Sequence, residues 1–492
     1  MPKKYILSSD HMNIAANIKD NAEQFGDKVA ITYLNQKFTY HEVWSSIQSF
    51  CRVLKNHQIT KGDRVGLAMK DHPMHLMIHF SVAAIGAIIV PIDHRWTKKE
   101  KENAAITFKI KILILDDDIL ETVNSIALDR INLNQKNNSE AHIDLDFDGD
   151  LLISLSSGTT GKPKGAILNH DNLYQRFVSQ WKSIGFDKED YFALLTPLFF
   201  GAGRSFAMSM LVTGATLKIA PPPHKPEEII NILSDKNINA TFLPPTLLRR
   251  LLSMADKPEP IFNNLKYLLY SGEPLHSDEA IECLEKITSN LIGYYASSEG
   301  GGISLIKPDE IEKYSHTVGT PIYQTEVEIV DDQDQNMNEK TFGKLRYRGP
   351  GVATKFIDEN GNEYSTAEDG GWFSPGDLAK RDKNGNIQLI GRSNDLIIRG
   401  GINIYPNEIE TVLMKHPNIK EVAVLGEKHV DFGESIVAFF ETDFILEEDA
   451  IIHLCKEYLA PYKIPEKFLQ VDSLPKKESG KIDKQLLKKK LT

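Results

Sequence analysis

Apolar residues recur along this chain in two rhythms. Ile14, Ile18 and Ala22 stand four apart, which predicts one face of an amphipathic helix over residues 13–26, and residues 39–57 carry the same pattern. Between them, Lys28–Leu34 reads as a strand. Arg64–Met69, Lys111–Asp117, Ala215–Ala220, Ala240–Pro245 and Tyr267–Gly272 are short apolar runs closed by turn residues, as buried strands are. The longest apolar run, Phe80–Ile92, is broken by Gly86 and Pro91 and is too short to cross a bilayer. It reads as the end of a buried helix feeding a strand. Alternation of this kind predicts an α/β fold of helix-covered sheets with much parallel pairing.

From about Gly343 the texture changes. Gly343–Phe356 and Gly385–Gly401 look like hairpins, with polar alternation and glycine turns. A short helix is expected after Pro406, then strands over Glu421–Glu427 and Glu434–Glu441, and a further helix over Asp449–Leu459. This predicts a small α+β unit of its own. With 492 residues the chain is too long for one core, so a division at residues 1–394 and 395–492 is expected.

Composition adds little beyond exclusions. Hydrophobic residues are 41% and charged residues 25%, ordinary for a globular protein. A formal net charge of -11 gives no general reason to expect nucleic acid or an anionic membrane as partner. Cys51, Cys283 and Cys455 are far apart and lack metal-ligand spacing, so they read as reduced thiols of a cytoplasmic protein. No secretion signal is legible at the N-terminus. The lysines near the C-terminus read mostly as a solvated tail.

The exception to this blandness is SSGTTGKPKG, Ser156–Gly165, which directly follows an apolar strand. A glycine-rich turn after a buried strand presents backbone N–H groups to phosphate oxygens. Hydroxyls add donors, and Lys162 and Lys164 add charge. Only Thr159 and Thr160 separate Gly158 from Gly161, and Lys162 precedes Pro163, so the spacing is not that of a Walker P-loop.

This loop resembles the signature of the adenylate-forming superfamily: acyl-CoA synthetases, peptide-synthetase adenylation domains and luciferases. Five further stretches in family order share the resemblance: Tyr294–Gly301, Gly343–Pro350, Gly371–Asp377, Gly391–Glu410 and Leu474–Lys484. The resemblance implies ATP, Mg²⁺ and coenzyme A as cofactors and co-substrate. A carboxylate attacks the α-phosphate, releasing pyrophosphate, and a thiol then displaces AMP. Holding two anions together calls for positioning and electrostatic stabilisation.

Residue roles follow from the same resemblance. Ser156, Ser157, Gly158, Thr159, Thr160, Gly161, Lys162 and Lys164 are expected around the phosphates, with Glu299 and Thr159 toward Mg²⁺. Gly272, Glu273 and Pro274 would meet adenine; Asp377 and Arg392 would meet ribose; Tyr295 and Ser298 would complete the nucleotide site. Phe199, Phe200, Tyr294, Ala296 and Gly300 would line the acid pocket, with Gly300, Gly301 and Gly302 leaving a deep slot for a long acyl chain or a flat aromatic ring. Lys481, on a turn made by Ser479 and Gly480 and anchored by Ile482, would stand between carboxylate and α-phosphate. Asp395 would be the hinge about which the small domain rotates, bringing Gly400 and Gly401 to the pantetheine arm.

Three positions depart from the family pattern. Phe200 stands where many relatives have histidine, Pro375 replaces a common threonine, and Ser298 replaces threonine but keeps the hydroxyl. None removes a charged group from the chemistry. The function expected is activation of a fatty or aromatic acid and its transfer to coenzyme A. The alternatives are loading of a phosphopantetheinyl carrier protein and a non-catalytic adenylate-binding protein.

Overall fold

The structure is a computed structural model. It describes the chain except for residues 1–12, 117–118, 132–142, 144, 158–162, 223, 256–258, 273–274, 332, 338–341, 367–369, 393–394, 400–401, 430–432, 478–479 and 492. Among the described residues the strands form four sheets. The first runs in the order Thr320–Pro321, Gly301–Ile306, Leu291–Ser297, Tyr267–Tyr270, Ala240–Leu243, Tyr191–Leu194, Thr216–Ile219, Val29–Tyr33, Gln36–Thr39. Its central pairs, from Leu291–Ser297 to Val29–Tyr33, are all parallel. The second runs Glu363–Ser365, Lys355–Ile357, Pro163–Asn169, Asp150–Ser157, Ile88–Pro91, Arg64–Ala68, Ile110–Leu115, Ser125–Ala127. It is parallel from Asp150–Ser157 onward and antiparallel on the other side.

Parallel sheets need cover on both faces, and these two share it. One apolar cluster takes Val65, Leu67 and Ile89 from one sheet and Phe192, Leu194 and Leu217 from the other. The same cluster includes the buried faces of the helices Ile14–Phe25, Tyr40–Asn56, Pro73–Ala84 and Gly201–Thr213. Tyr40–Asn56 is amphipathic, as its spacing predicts, and starts in a capping box between Thr39 and Glu42. Pro73–Ala84 lacks a polar face: every residue but Met74 is buried.

The third sheet is antiparallel: Glu326–Val330, Gly343–Arg348, Asp377–Arg381, Ile387–Arg392. The fourth joins Ile402–Ile404, Ile397–Arg399, Gly433–Glu441 and Glu421–His429, with Lys467–Val471 added in parallel. Period-two alternation gives the fourth sheet two apolar faces. Val422, Val424, Ile436, Ala438 and Phe440 pack with the helices Pro406–Leu413 and Glu448–Tyr458. Ala423, Leu425, Val437 and Phe439 pack with Leu474 and Leu487.

Both expected hairpins are replaced by sheet exchanges. Gly343–Arg348 pairs with Glu326–Val330, whereas Lys355–Ile357 crosses to Pro163–Asn169 in another sheet. The intervening Gly349-Pro350-Gly351 turns the chain, with the Val352 N–H donating to the Gly349 carbonyl at 3.0 Å. Similarly, Ile387–Arg392 ends in the third sheet and Ile397–Arg399 begins the fourth. Polar alternation reads the same for a hairpin and for two strands in different sheets, which is why the pattern misled.

His170, at the start of the helix His170–Ile184, is fully buried, and its Nδ1 accepts the Ile14 N–H at 3.2 Å. Burial lowers its pKa from 6.5 to about 3. Between these values the unfolded chain binds a proton that the folded chain refuses, so stability is present above about pH 6.5 and lost as pH falls. His170→Asn keeps a side-chain acceptor and removes the titration. Between pH 5.5 and 4 the variant's unfolding free energy should fall less steeply, by about 1.4 kcal/mol per pH unit. Parallel slopes in urea denaturation would show that His170 is protonated in the folded protein.

Candidate active site

In open parallel sheets, ligands bind beyond the carboxyl ends of the strands. Tyr191–Leu194, Tyr267–Tyr270 and Leu291–Ser297 share one direction, so the loops that follow them lie along one edge. Those loops carry Phe199 and Phe200, then Gly272, then Ser298 and Glu299. In the second sheet the corresponding ends lead to Asp71, to Asp93–Arg95 and to the glycine-rich loop. The two edges meet. The Asp71 carboxylate accepts the Leu198 N–H at 2.7 Å, and the Arg95 guanidinium lies 5.0 Å from the Phe199 ring centre. Arg204 donates to the Phe199 carbonyl at 2.9 Å and approaches Ser154 Oγ at 3.4 Å, on the strand feeding the glycine loop.

The glycine loop joins two antiparallel strands, with Ser156 opposite Lys164. Lys164 is exposed. Gly158, Thr159, Thr160, Gly161 and Lys162 lie outside the described residues, as do Glu273, Pro274, Gly400 and Gly401 and the side chains of Ser156 and Ser157. Gly272 is exposed, and its φ of +103° is a left-handed conformation that favours glycine.

Asp377 and Arg392 are cross-strand partners at the end of the third sheet, joined by a 3.0 Å ion pair from Nε to Oδ1. The Tyr295 hydroxyl donates to Asp377 Oδ2. Burial first, and then the Asp377 charge, push the Tyr295 hydroxyl well above the usual tyrosine range, so it remains a donor. Asp377 is buried while Arg392 is more than half exposed, which leaves the pair reachable from solvent on the arginine side.

Ser298, Glu299 and Gly300 form the turn between Leu291–Ser297 and Gly301–Ile306. Ser297 Oγ accepts the Gly300 N–H at 3.0 Å and is bonded to the Tyr347 hydroxyl. The Glu299 carbonyl accepts the Ala353 N–H at 3.0 Å. Arg176, from the helix His170–Ile184, donates to the carbonyls of Ser298 and Glu299, and through Nε to that of Gly351 at 2.7 Å. Burial lowers Arg176 to about 10, opposed by Tyr347 and Glu299, so it is charged at neutral pH. Arg204, also buried, is lowered to about 9 by burial and by Arg176. Arg176 lies outside the family motifs, and Tyr347 lies within the stretch Gly343–Pro350, to which no site role is assigned from the sequence. The signal for Arg176 was available, since it falls with Leu173, Phe177, Gln180 and Ile184 on the buried stripe of its helix.

On the Cβ sides of Gly300, Gly301 and Gly302, over which a deep slot is expected, neighbouring side chains stand close. A Cβ on Gly300 would overlap the Tyr347 ring, one on Gly301 would meet Arg176, and one on Gly302 would overlap the Tyr294 hydroxyl. These glycines serve close packing. Tyr294 is buried against Phe206, while Ala296 is partly buried on the same strand. Phe199 and Phe200 lie with ring centres 4.5 Å apart, tilted by 36°, at the start of the helix Gly201–Thr213, and His94 meets Phe199 edge-on.

A magnesium ion takes oxygen ligands and keeps phosphate oxygens and water among them. Glu299 supplies one partly buried carboxylate, and no group of three or more metal-binding side chains occurs among the described residues. That donor set fits an ion held mainly by a substrate's phosphates. Lys481 is exposed on a tight turn: its carbonyl accepts the Lys477 N–H at 2.7 Å, Gly480 has φ +85°, and Ile482 packs against the sheet. Asp395 stands between the third and fourth sheets. Among the described residues no helix is long and apolar enough to cross a membrane.

Known proteins resemble this chain along nearly its whole length. A 2-succinylbenzoate–CoA ligase of Bacillus pumilus is 29% identical over 479 residues, covering 94% of this chain and 95% of that one. One from Listeria monocytogenes is 27% identical over 469 residues, covering 94% and 96%. The o-succinylbenzoate CoA synthetase of Bacillus subtilis, solved with its acyl-adenylate intermediate, superposes with a TM-score of 0.87 at 24% identity, covering 96% and 97%. ATP-bound MatB of Rhodopseudomonas palustris gives 0.87 at 24%, covering 98% and 99%. The model of AMP-binding enzymes matches residues 18–356, and that of their C-terminal domain matches residues 408–481. With the loops of two parallel sheets meeting at one edge and both family models matched in order, the chain belongs to the AMP-binding, adenylate-forming enzymes.

Proposed function

We propose that this protein is an AMP-forming acid–thiol ligase. It activates a compact aromatic carboxylic acid of the 2-succinylbenzoate class as the acyl-adenylate, and passes the acyl group to coenzyme A. The observation that carries the reading is the Tyr295–Asp377–Arg392 group, whose Tyr295 lies on the strand that leads into the Glu299 turn: in this reading Asp377 takes the ribose diol and Glu299 the metal of a nucleoside triphosphate. Two features favour a short flat acid over a long fatty chain. Tyr347, Arg176 and Tyr294 crowd the Cβ sides of the three glycines, which leaves little depth there for a long chain, and Phe199 and Phe200 offer two aromatic rings with centres 4.5 Å apart. The curated relatives named above act on such an acid.

In this reading the glycine loop wraps the phosphates, and Gly272 with its neighbours meets adenine. Asp377 accepts from both ribose hydroxyls, with Arg392 holding the carboxylate in place. A magnesium ion, when bound, supplies charge that lowers repulsion between the phosphates and the incoming carboxylate. Lys481 donates to the carboxylate and α-phosphate oxygens as the new bond forms and pyrophosphate leaves. The C-terminal unit, residues 395–492, then turns about Asp395, removing Lys481 and bringing Gly400 and Gly401 to the pantetheine arm.

The first test is product analysis over an acid panel. Acid-dependent release of pyrophosphate, abolished by chelating Mg²⁺, is expected, with 2-succinylbenzoate and related aromatic acids ahead of long-chain fatty acids. Release of ADP and phosphate would sink the ligase reading, and preference for a long-chain acid would sink the substrate class.

The second test separates Lys481 from the lysines around it. Lys481→Ala should lose about a hundred- to a thousandfold in kcat for acyl-adenylate formation, the usual effect of removing one transition-state donor. It should still convert a supplied acyl-adenylate and coenzyme A into thioester, and Lys489→Ala should behave as wild type in both assays. Equal loss in both steps for Lys481→Ala, with melting unchanged, would mean that one conformation serves both half-reactions.

A further inference from the structure

The side chain of Arg176 is a buried cation held by main-chain carbonyls. Its hydrogen bonds go to the carbonyls of Ser298, Glu299 and Gly351, and among the described residues no carboxylate lies within ion-pair distance. Those carbonyls come from two segments, the turn that carries Glu299 and the Gly349–Gly351 turn beside it. Ala353, just past the second turn, donates its N–H back to the Glu299 carbonyl. Glu299 therefore has its carbonyl oxygen gripped from two sides, by a guanidinium and by a neighbouring backbone.

The surroundings are shaped to the arginine stem. A Cβ on Gly301 would come within 2.9 Å of Arg176 Cδ, and one on Gly351 within 2.9 Å of Arg176 Cγ. Gly301 also has φ +72°. Two glycines from different turns thus open a channel through which the side chain reaches the carbonyls. For packing alone, an apolar or neutral residue would suit this stripe, which also holds Leu173, Phe177, Gln180 and Ile184, and would avoid desolvating a charge. Instead the position holds the one side chain whose planar fork meets several acceptors at fixed angles.

We propose that Arg176 is a positioning residue for nucleotide-bound metal: by fixing the carbonyls of Ser298 and Glu299 it sets the direction in which the Glu299 carboxylate presents its oxygens. The inference rests on the reading of Glu299 as the metal-binding carboxylate. Arg176 touches no reacting atom, and its effect passes through Glu299. Residues that orient a metal ligand in this way typically contribute about ten- to a hundredfold in metal affinity.

The test measures Mg²⁺ binding by calorimetry to the complex with a non-hydrolysable ATP analogue, and AMP binding without metal, in wild type, Arg176→Gln, Arg176→Lys and Glu299→Gln. Arg176→Gln and Arg176→Lys should each weaken Mg²⁺ by about ten- to a hundredfold. AMP affinity should change less than twofold, and thioester formation from supplied acyl-adenylate should persist. Lysine keeps the charge but lacks the fork, so failure of the lysine to rescue is part of the expectation. Wild-type Mg²⁺ affinity in both Arg176 variants while Glu299→Gln is weakened overturns the positioning role alone. Unchanged Mg²⁺ affinity in Glu299→Gln overturns the reading of Glu299 and the inference with it. Equal loss of AMP and Mg²⁺ affinity in the Arg176 variants marks a purely structural residue and also overturns the proposal. Should neither Arg176 variant fold, Gly351→Ala, which crowds the arginine stem, decides: a selective loss of Mg²⁺ affinity supports positioning, and wild-type affinity overturns it.

Discussion

Two parallel sheets that each need cover on both faces, within one core, constrain everything else in the larger part of this chain. Neither sheet can present a face to water, so the helices between them must satisfy both. The helix Pro73–Ala84 has consequently no room for a polar side, and its two histidines are buried with Nδ1 turned back onto main-chain carbonyls. The same constraint aims the strands. Once the central strands of each sheet run one way, their following loops gather at one edge. The residues between Thr196 and Phe200 thereby meet Asp71 and Arg95 of the other sheet although they are far apart along the chain.

Most of the elements were legible as pattern. Ile14, Ile18 and Ala22, the apolar runs of the central strands and the alternation in Glu421–Glu441 all form what their spacing predicts. The family resemblance also put Asp377 and Arg392 in one place, and they are cross-strand partners joined by an ion pair. Strand partners were not legible. Gly343–Arg348 and Lys355–Ile357 look like two arms of a hairpin, yet belong to different sheets. Local periodicity encodes which face of a strand is buried; it does not encode the neighbour.

The glycines after Glu299 illustrate a second limit. From the chain alone, three successive glycines suggest open space for a ligand. In the fold they mark places where Tyr347, Arg176 and Tyr294 come too close for any side chain. A missing Cβ is compatible with a cavity or with crowding, and only the tertiary neighbours decide. Arg176 is the counterpart: its stripe on the helix predicts burial, its charge predicts exposure, and the conflict resolves only when carbonyls 122 to 175 residues away are in view.

The passage from Arg392 to Ile397 joins two sheets that share no strand pairing among the described residues. Across this junction Phe342 meets Tyr405 edge-on at 5.1 Å, with Phe342 exposed and Tyr405 buried. A linker this short keeps the two sides at an effective concentration on the order of millimolar or above. In the proposed mechanism, docking of the Lys481 turn would therefore ask very little of the interface itself. A surface too weak to hold two separate proteins together would suffice, and that weakness would let the same surface release without a large barrier.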